Sequence, residues 1–211
     1  MRAVLHDISP PLRPSIAVWP GDTPLTREVL TDLERGDPLT LGTVHATVHL
    51  GAHTDSPDHT ARGAGDIASQ PLEPYLGPCQ VVTVDVARGA RIGPEDVRVP
   101  VTAPRVLFRT GTYPDPDTWN ADFAGLGTEL VARLAAQGVR LVGIDTPSVD
   151  PFDATDLPAH AACVAHDVRV LEGVVLDAVP DGVYELIALP LRLVGFDASP
   201  VRAVLRDLPP R

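Results

Sequence analysis

The chain has 211 residues, 44% of them apolar, and a formal net charge of −11. That size and apolar content suit one domain, residues 1–211, able to bury its own core. The acidic balance and the lack of any basic run argue against nucleic acid or an anionic membrane as a partner. No apolar stretch is long enough to span a bilayer, and residues 1–7 lack signal-peptide architecture, so a cytoplasmic enzyme or binding protein is expected. All 17 basic residues are arginine, which reads as compositional bias. Cys79 and Cys163 stand alone in apolar surroundings and are expected as buried thiols rather than a disulfide or a metal pair.

In chain order, residues 5–26 come first, with Pro10, Pro11, Pro20 and Pro24. Proline lacks the amide donor and disfavours a helical residue before it, so short strands and turns are predicted here. Next, Val44, Ala46, Val48, Leu50 and Ala52 alternate with Thr43, His45, Thr47, His49, Gly51, His53 and Asp55. This period of two predicts one strand over 43–55 with an apolar and a polar face, ended by Ser56-Pro57. Apolar runs predict further strands at 81–86, 105–110, 139–144, 168–171 and 184–191, with 201–205 as a short tail. Helices are predicted at 128–137, stopped by Gly138, and at 158–166, with Asp156 as cap and Pro158 in the first turn. The architecture is therefore α+β, mostly sheet with two helices, and without repeats.

The chemistry concentrates in residues 49–59, His-Leu-Gly-Ala-His-Thr-Asp-Ser-Pro-Asp-His. On the predicted strand His49, His53 and Asp55 point to one side, and Gly51 leaves room between them. Three ligand-type groups in one small volume suit a transition metal, and bare imidazoles beside a carboxylate are costly to bury otherwise. At a strand rise of roughly 3.3 Å per residue, His45 lies more than about 12 Å from His49 and cannot share the metal. His59, past the turn at Pro57, is either a fourth ligand or a free imidazole. The chemistry favours the free role, because coordination would occupy the lone pair an acid/base needs. Spacing alone leaves His160, on the second helix, and Glu172, at a strand mouth before Gly173, open between ligand and structural roles. Trp19, in a rigid proline-flanked loop, is either a hydrophobic anchor or a flat wall for an aromatic substrate. Trp119, among Asp115, Asp117, Asn120 and Asp122, reads as part of a loop or a helix cap, and the Asp145-Thr146-Pro147 and Asp150-Pro151 pieces read as turns. Neither a Gly-x-Ser-x-Gly elbow nor a phosphate-binding glycine loop is present.

The 49–59 segment resembles the signature of the metal-dependent cyclase and amidohydrolase superfamily, His-x-Gly-Thr-His-x-Asp-x-Pro-x-His. Within it, the chain looks most like the bacterial kynurenine formamidase (arylformamidase) family. Asp7-Ile-Ser-Pro-Pro-Leu12 and Val18-Trp-Pro-Gly-Asp-Thr-Pro24 carry the likeness at the start. Val170 to Asp177 and Glu185 to Arg202 carry it at the end. Ala52 replaces the signature threonine, on the apolar face and away from the ligand set. The resemblance implies a swivelling β/β/α cyclase-like fold and a homodimer, with the proline-rich residues 1–26 contributing to dimer contacts and the substrate pocket. It implies that His49, His53 and Asp55 bind one Zn2+, that Asp55 and Glu172 bridge to a second, and that His160 completes it. His59 would be the uncoordinated acid/base and Trp19 would line an aromatic pocket. The implied reaction is hydrolysis of N-formyl-L-kynurenine to L-kynurenine and formate, in tryptophan catabolism, with water made acidic by the two zinc ions. The same N/O ligand set also accepts Mn2+, Co2+ or Cd2+. Two rivals are a cyclic-amide hydrolase of the isatin-hydrolase kind and a metal-dependent binding protein without catalysis.

Overall fold

The parallel core of the sheet follows from short, wholly apolar runs, which are stable only when both faces are covered. In the computed structural model, which describes residues 4–208, those runs become the centre of a nine-stranded mixed sheet. The strands and helices are β1 (Leu5–Asp7), β2 (Thr26–Thr31), β3 (Leu41–His45), β4 (His53–Asp55), β5 (Leu76–Thr83), β6 (Arg91–Ile92), β7 (Arg105–Arg109), β8 (Gly125–Leu126), α1 (Thr128–Ala136), β9 (Leu141–Ile144), α2 (Pro158–Ala165), β10 (Arg169–Glu172), β11 (Gly182–Ile187), β12 (Ala198–Pro200) and β13 (Val204–Asp207). The large sheet runs β1-β13-β11-β5-β7-β9-β10-β4-β12. Strands β5, β7, β9 and β10 are mutually parallel, and antiparallel strands flank them on both sides. β2 pairs with β3 in a separate hairpin and β6 with β8 in a short ladder.

The pleat sends alternate residues into two cores. Val82, Val106, Phe108, Val142, Ile144 and Val170 pack beneath α1 and α2, against Leu130, Val131, Leu134, Ala159 and Cys163. Val81, Leu107, Leu141 and Leu171 face the other way, against Ile8, Ala52, Tyr75 and Leu186. Cys79 and Cys163 are both buried free thiols, and burial pushes the Cys163 thiol up to about 12. Among the described residues no helix is long and apolar enough to cross a membrane.

The expected α+β sheet architecture and both helices are present, but three local expectations need correction. The single strand over 43–55 is two strands, β3 and β4, separated by a bend over 46–52. Gly51 takes φ +57 there, and a Cβ at that position would lie 2.7 Å from Leu12 Cδ2, so the chain turns where alternation predicted continuity. His49 therefore lies in the bend, not on a strand, and Val44, expected on a buried face, is 70% exposed. The second helix is not capped by Asp156. Its cap residue is Leu157, held at φ +45, and its free amides at Ala159 and His160 donate to Asp150 Oδ1 and Oδ2 at 2.9 and 3.0 Å. Asp150, expected as a turn residue, is wholly buried and serves as a helix cap from eight residues before α2 begins.

Candidate active site

Sheet register brings the distant candidates together. β4 lies antiparallel to β10, with His53 opposite Glu172 and Asp55 opposite Val170, so His53 and Asp55 share a face with Glu172. On its other edge β4 pairs with β12, where Ala198 lies opposite Asp55. The first turn of α2 delivers His160, and the Gly51 bend swings His49 across to the same face. His59 closes a single 3-10 turn, Pro57–His59, directly after β4. His53, Asp55, His160 and Glu172 are all 5% exposed or less.

The ligand atoms face one another. His49 Nδ1 is 3.2 Å and His53 Nε2 3.6 Å from Asp55 Oδ1. His160 Nε2 is 3.2 Å from Asp55 Oδ2 and 3.3 Å from Glu172 Oε1, while His53 Nε2 is 3.0 Å from Glu172 Oε2. His49, His53 and Asp55 each place one ligand atom within 4.8 Å of the others, as do Asp55, His59 and His160. His45 is exposed on β3 and belongs to none of these groups.

The far sides of the rings decide which nitrogens are free. His53 Nδ1–H donates to the Gly51 carbonyl at 2.9 Å, leaving the Nε2 lone pair toward the carboxylates. His160 Nδ1–H donates to Asp150 Oδ2 at 2.8 Å, leaving Nε2 toward Asp55 and Glu172. Asp150 is itself neutralised by Arg91 Nη1 at 3.1 Å. A carboxylate or carbonyl behind each ring is the usual support of a metal-ligating histidine. Behind the other two rings stands Asp197, whose Oδ2 is 3.0 Å from both His49 Nε2 and His59 Nδ1.

Does this donor set fit a divalent metal? The Asp55 Oδ1 atom is buried without a hydrogen-bond partner. A carboxylate oxygen left so is costly unless a cation compensates it. Two buried carboxylates with three imidazole lone pairs turned on them have the N/O chemistry of a zinc-type site, and the residues fit. With only protons to balance the charge, His49 and His160 hold theirs above the ordinary imidazole range. Burial pulls the His49 ring down, but Asp55 and Asp197 outweigh it and hold the group up at about 9. His160 is raised in the same way by Asp150, Asp55 and Glu172. Despite burial, which pushes them up, Asp55 lies well below the usual carboxylate range beside His160 and His49, and Glu172 is also lowered, by His160 and His53.

A pH dependence follows. Below about 9 the His49 ring carries a proton that metal binding must displace, so binding releases protons. Apparent metal affinity should then fall about tenfold per pH unit for that group as pH drops from 9 toward 6.5. Calorimetric titration in buffers of differing ionisation enthalpy measures it, and a pH-independent affinity with no proton release would contradict it. In the metal-free chain the same raised group contributes stability that is full below 6.5 and is lost as pH rises through about 9.

Glu172 depends on the residue after it. Gly173 has φ +65, and a Cβ there would sit 2.2 Å from the Gly51 carbonyl oxygen. The two glycines let the bend carrying His49 lie directly against the end of β10. Gly173→Ala should cost about 1–3 kcal/mol of stability and weaken metal binding, because either Glu172 or the 46–52 bend must move. Urea unfolding and a zinc titration check this, and an unchanged midpoint would contradict the packing.

The imidazoles of His49, His53, His59 and His160, with Glu172, line a cavity of about 640 Å³, within the size range of small-molecule sites. Trp19 lines the same cavity and packs on Phe152 and Trp119, with ring centroids 5.1 and 5.2 Å apart, and Tyr113 adjoins Trp119 at 6.1 Å. Trp19 is thus part of an aromatic wall that residues 113–123 and 152 complete. Sequence reasoning missed Trp119, which reads locally as a loop residue, and also missed Tyr113, Phe152, Asp150 and Asp197. For Asp197 one signal existed, its place in the C-terminal run Gly-Phe-Asp-Ala-Ser-Pro.

The chain has relatives among known proteins. The Cyclase family model, described as "Putative cyclase", matches residues 6–151. The kynurenine formamidase of Maricaulis maris (strain MCS10) is 45% identical over 209 residues, 98% of this chain and all of that one. A solved structure described as a potential metal-dependent hydrolase with cyclase activity superposes with a TM-score of 0.84 at 26% identity, covering 99% of this chain and 100% of its own. Isatin hydrolase A from Labrenzia aggregata, bound to benzyl benzoate, superposes at 0.83 over 97% of this chain and 94% of its own. At 22% identity that likeness concerns the fold alone. With a paired-carboxylate and histidine cluster suited to a metal, on this sheet and with these matches, the chain belongs to the cyclase family of metal-dependent hydrolases.

Proposed function

We propose that this chain is an arylformamidase, a kynurenine formamidase that hydrolyses N-formyl-L-kynurenine to L-kynurenine and formate in tryptophan catabolism. The observation that carries the reading is that His49, His53, His160, Glu172 and the His59 imidazole line one cavity with Trp19 and Trp119, with Asp55 buried behind the histidines. Near-full-length similarity to a protein named for that activity supports it. His49, His53 and Asp55 would hold one zinc ion, and Asp55, Glu172 and His160 a second. When bound, such ions lower the pKa of water toward neutrality and polarise a carbonyl oxygen.

The remaining work falls to the chain. Trp19, with Trp119 and Phe152, gives the aryl ring a flat apolar surface, which orients the formyl group toward the imidazoles. An anilide nitrogen is a poor leaving group until it is protonated. His59 lines the cavity, and its Nδ1 is committed to Asp197, so its other nitrogen is the one available to move a proton. The exposed Leu33, Leu41 and Val44 of the β2–β3 hairpin support a homodimer, and the acidic composition fits a cytoplasmic protein.

Absorbance tests this, because release of the free aniline conjugates the nitrogen lone pair with the neighbouring ketone and shifts absorption to longer wavelength. Zinc-loaded protein should convert N-formyl-kynurenine and leave isatin untouched. Ring opening of isatin with no action on the formamide would overturn the reading in favour of a cyclic-amide hydrolase.

A further inference from the structure

His59 and His49 do different work in the reading above, yet they share one carboxylate oxygen. Asp197 Oδ2 accepts from His59 Nδ1–H and from His49 Nε2–H, each at 3.0 Å, and the two rings lie 4.4 Å apart. The backbone of Asp197 is anchored to the end of β4. Its carbonyl accepts from Ser56 N at 2.8 Å, and Ala198 pairs with Asp55, so its position is referred to β4 itself. His59 sits three residues past Ser56 in a tight turn, and nothing among the described hydrogen bonds other than Asp197 holds its ring.

We propose that Asp197 is the positioning residue of His59. It fixes the tautomer and plane of the ring so that Nε2 faces the cavity, and through the same oxygen it sets that ring against His49. This rests on the formamidase reading of the site. A carboxylate behind the acid/base histidine is the arrangement that keeps an imidazole in its working tautomer in other hydrolases. In the step itself a water adds through oxygen to the formyl carbon, and one of its protons goes to His59 Nε2. That proton passes to the amide nitrogen as the C–N bond breaks. The products are formic acid and the free aniline, so atoms and electrons balance without another reactant.

The test compares a substrate that needs the proton with one that does not. Zinc-loaded unaltered protein, Asp197→Ala, Asp197→Asn, His59→Ala and the double variant Asp197→Ala/His59→Ala are assayed on N-formyl-kynurenine and on 4-nitrophenyl formate, whose phenolate departs unprotonated. Asp197→Ala should lower kcat on the formamide about 10²-fold with KM nearly unchanged, and lower it on the formate ester by a smaller factor, since the ester still needs its attacking water deprotonated but not its leaving group protonated. Asn keeps a carbonyl acceptor for Nδ1 and should recover part of the loss. The double variant should be no slower than His59→Ala, since the two act as a unit. Independently of activity, histidine ring 15N–1H spectra should show a protonated Nδ1 on His59 in the unaltered protein and a mixture of tautomers in Asp197→Ala.

Equal losses on both substrates together with lost zinc would overturn the proposal and make Asp197 a support of His49 only. Unchanged formamide kinetics, additive losses in the double variant, or an unchanged His59 spectrum would overturn it as well. If the unaltered protein fails on the formamide, the formamidase reading falls, and the ring spectrum still decides whether Asp197 sets His59.

Discussion

His59→Ala should keep its metal and lose about 10²–10⁴-fold in kcat, the usual worth of a positioned general acid. The fold should not suffer. The turn that carries His59 is held by backbone bonds, His59 N to the Ser56 carbonyl at 3.1 Å and Ala61 N to the Pro57 carbonyl at 2.9 Å. The side chain is 28% exposed, so truncating it leaves no buried hole. Apart from Asp197 it makes no hydrogen bond among the described residues, and Asp197 retains His49. KM should stay close to its original value, since the aromatic wall that binds the aryl ring is untouched. Kinetics paired with metal analysis read this directly. Full turnover in a metal-replete variant would remove His59 from the mechanism, and metal loss in step with activity would make it a ligand instead.

The second large effect is expected at Asp55. Asp55→Asn keeps the volume and removes the charge from the one carboxylate that faces both His49 with His53 and His160. A metal worth several kcal/mol of transition-state stabilisation would be lost, so activity should fall by at least about 10³–10⁴-fold. The backbone pairings of residue 55 with Val170 and Ala198 do not involve the side chain, so the sheet should still form. The cleanest readout is thermal. With zinc at a thousandfold excess over Kd, the unaltered protein should gain about 4 kcal/mol, and the variant little or none. A variant that still gains stability from zinc would show that Asp55 is not central to the site.

Much of the frame was legible because local physics decides it. The apolar runs that became β7, β9 and β10 need cover on both faces, and the Gly138 stop ends α1 within a residue of its predicted limit. The bend at 46–52 was not legible. Its residues keep the alternation of a strand, and only the folded chain, where Leu12, Pro10 and Ile16 leave no room for a Cβ at Gly51, reveals the turn. The metal cluster was half legible. His49, His53 and Asp55 announce themselves by spacing, even though the spacing works through a bend rather than a pleat.

Its outer partners were hidden for a different reason. Asp197 meets His59 across 138 residues and His49 across 148, and no periodicity encodes such a meeting. Asp150 looked like a turn residue before proline, and its burial under Arg91 and His160 exists only after α2 docks. The aromatic wall is the same kind of object. Trp19 stands out in its proline-flanked loop, but Trp119, Tyr113 and Phe152 sit in polar or turn-rich segments, and nothing local in the sequence joins them.

If buried imidazoles and carboxylates hold metal for hydrolysis of an aryl formamide, chelation should abolish turnover and zinc should restore it. The purified protein is stripped with a chelator and zinc is titrated back while kynurenine absorbance from N-formyl-kynurenine is followed. The stripped protein should show no turnover, and the rate should rise and saturate at two equivalents of zinc per chain. Undiminished turnover in protein shown by analysis to be free of metal would contradict the role of the metal.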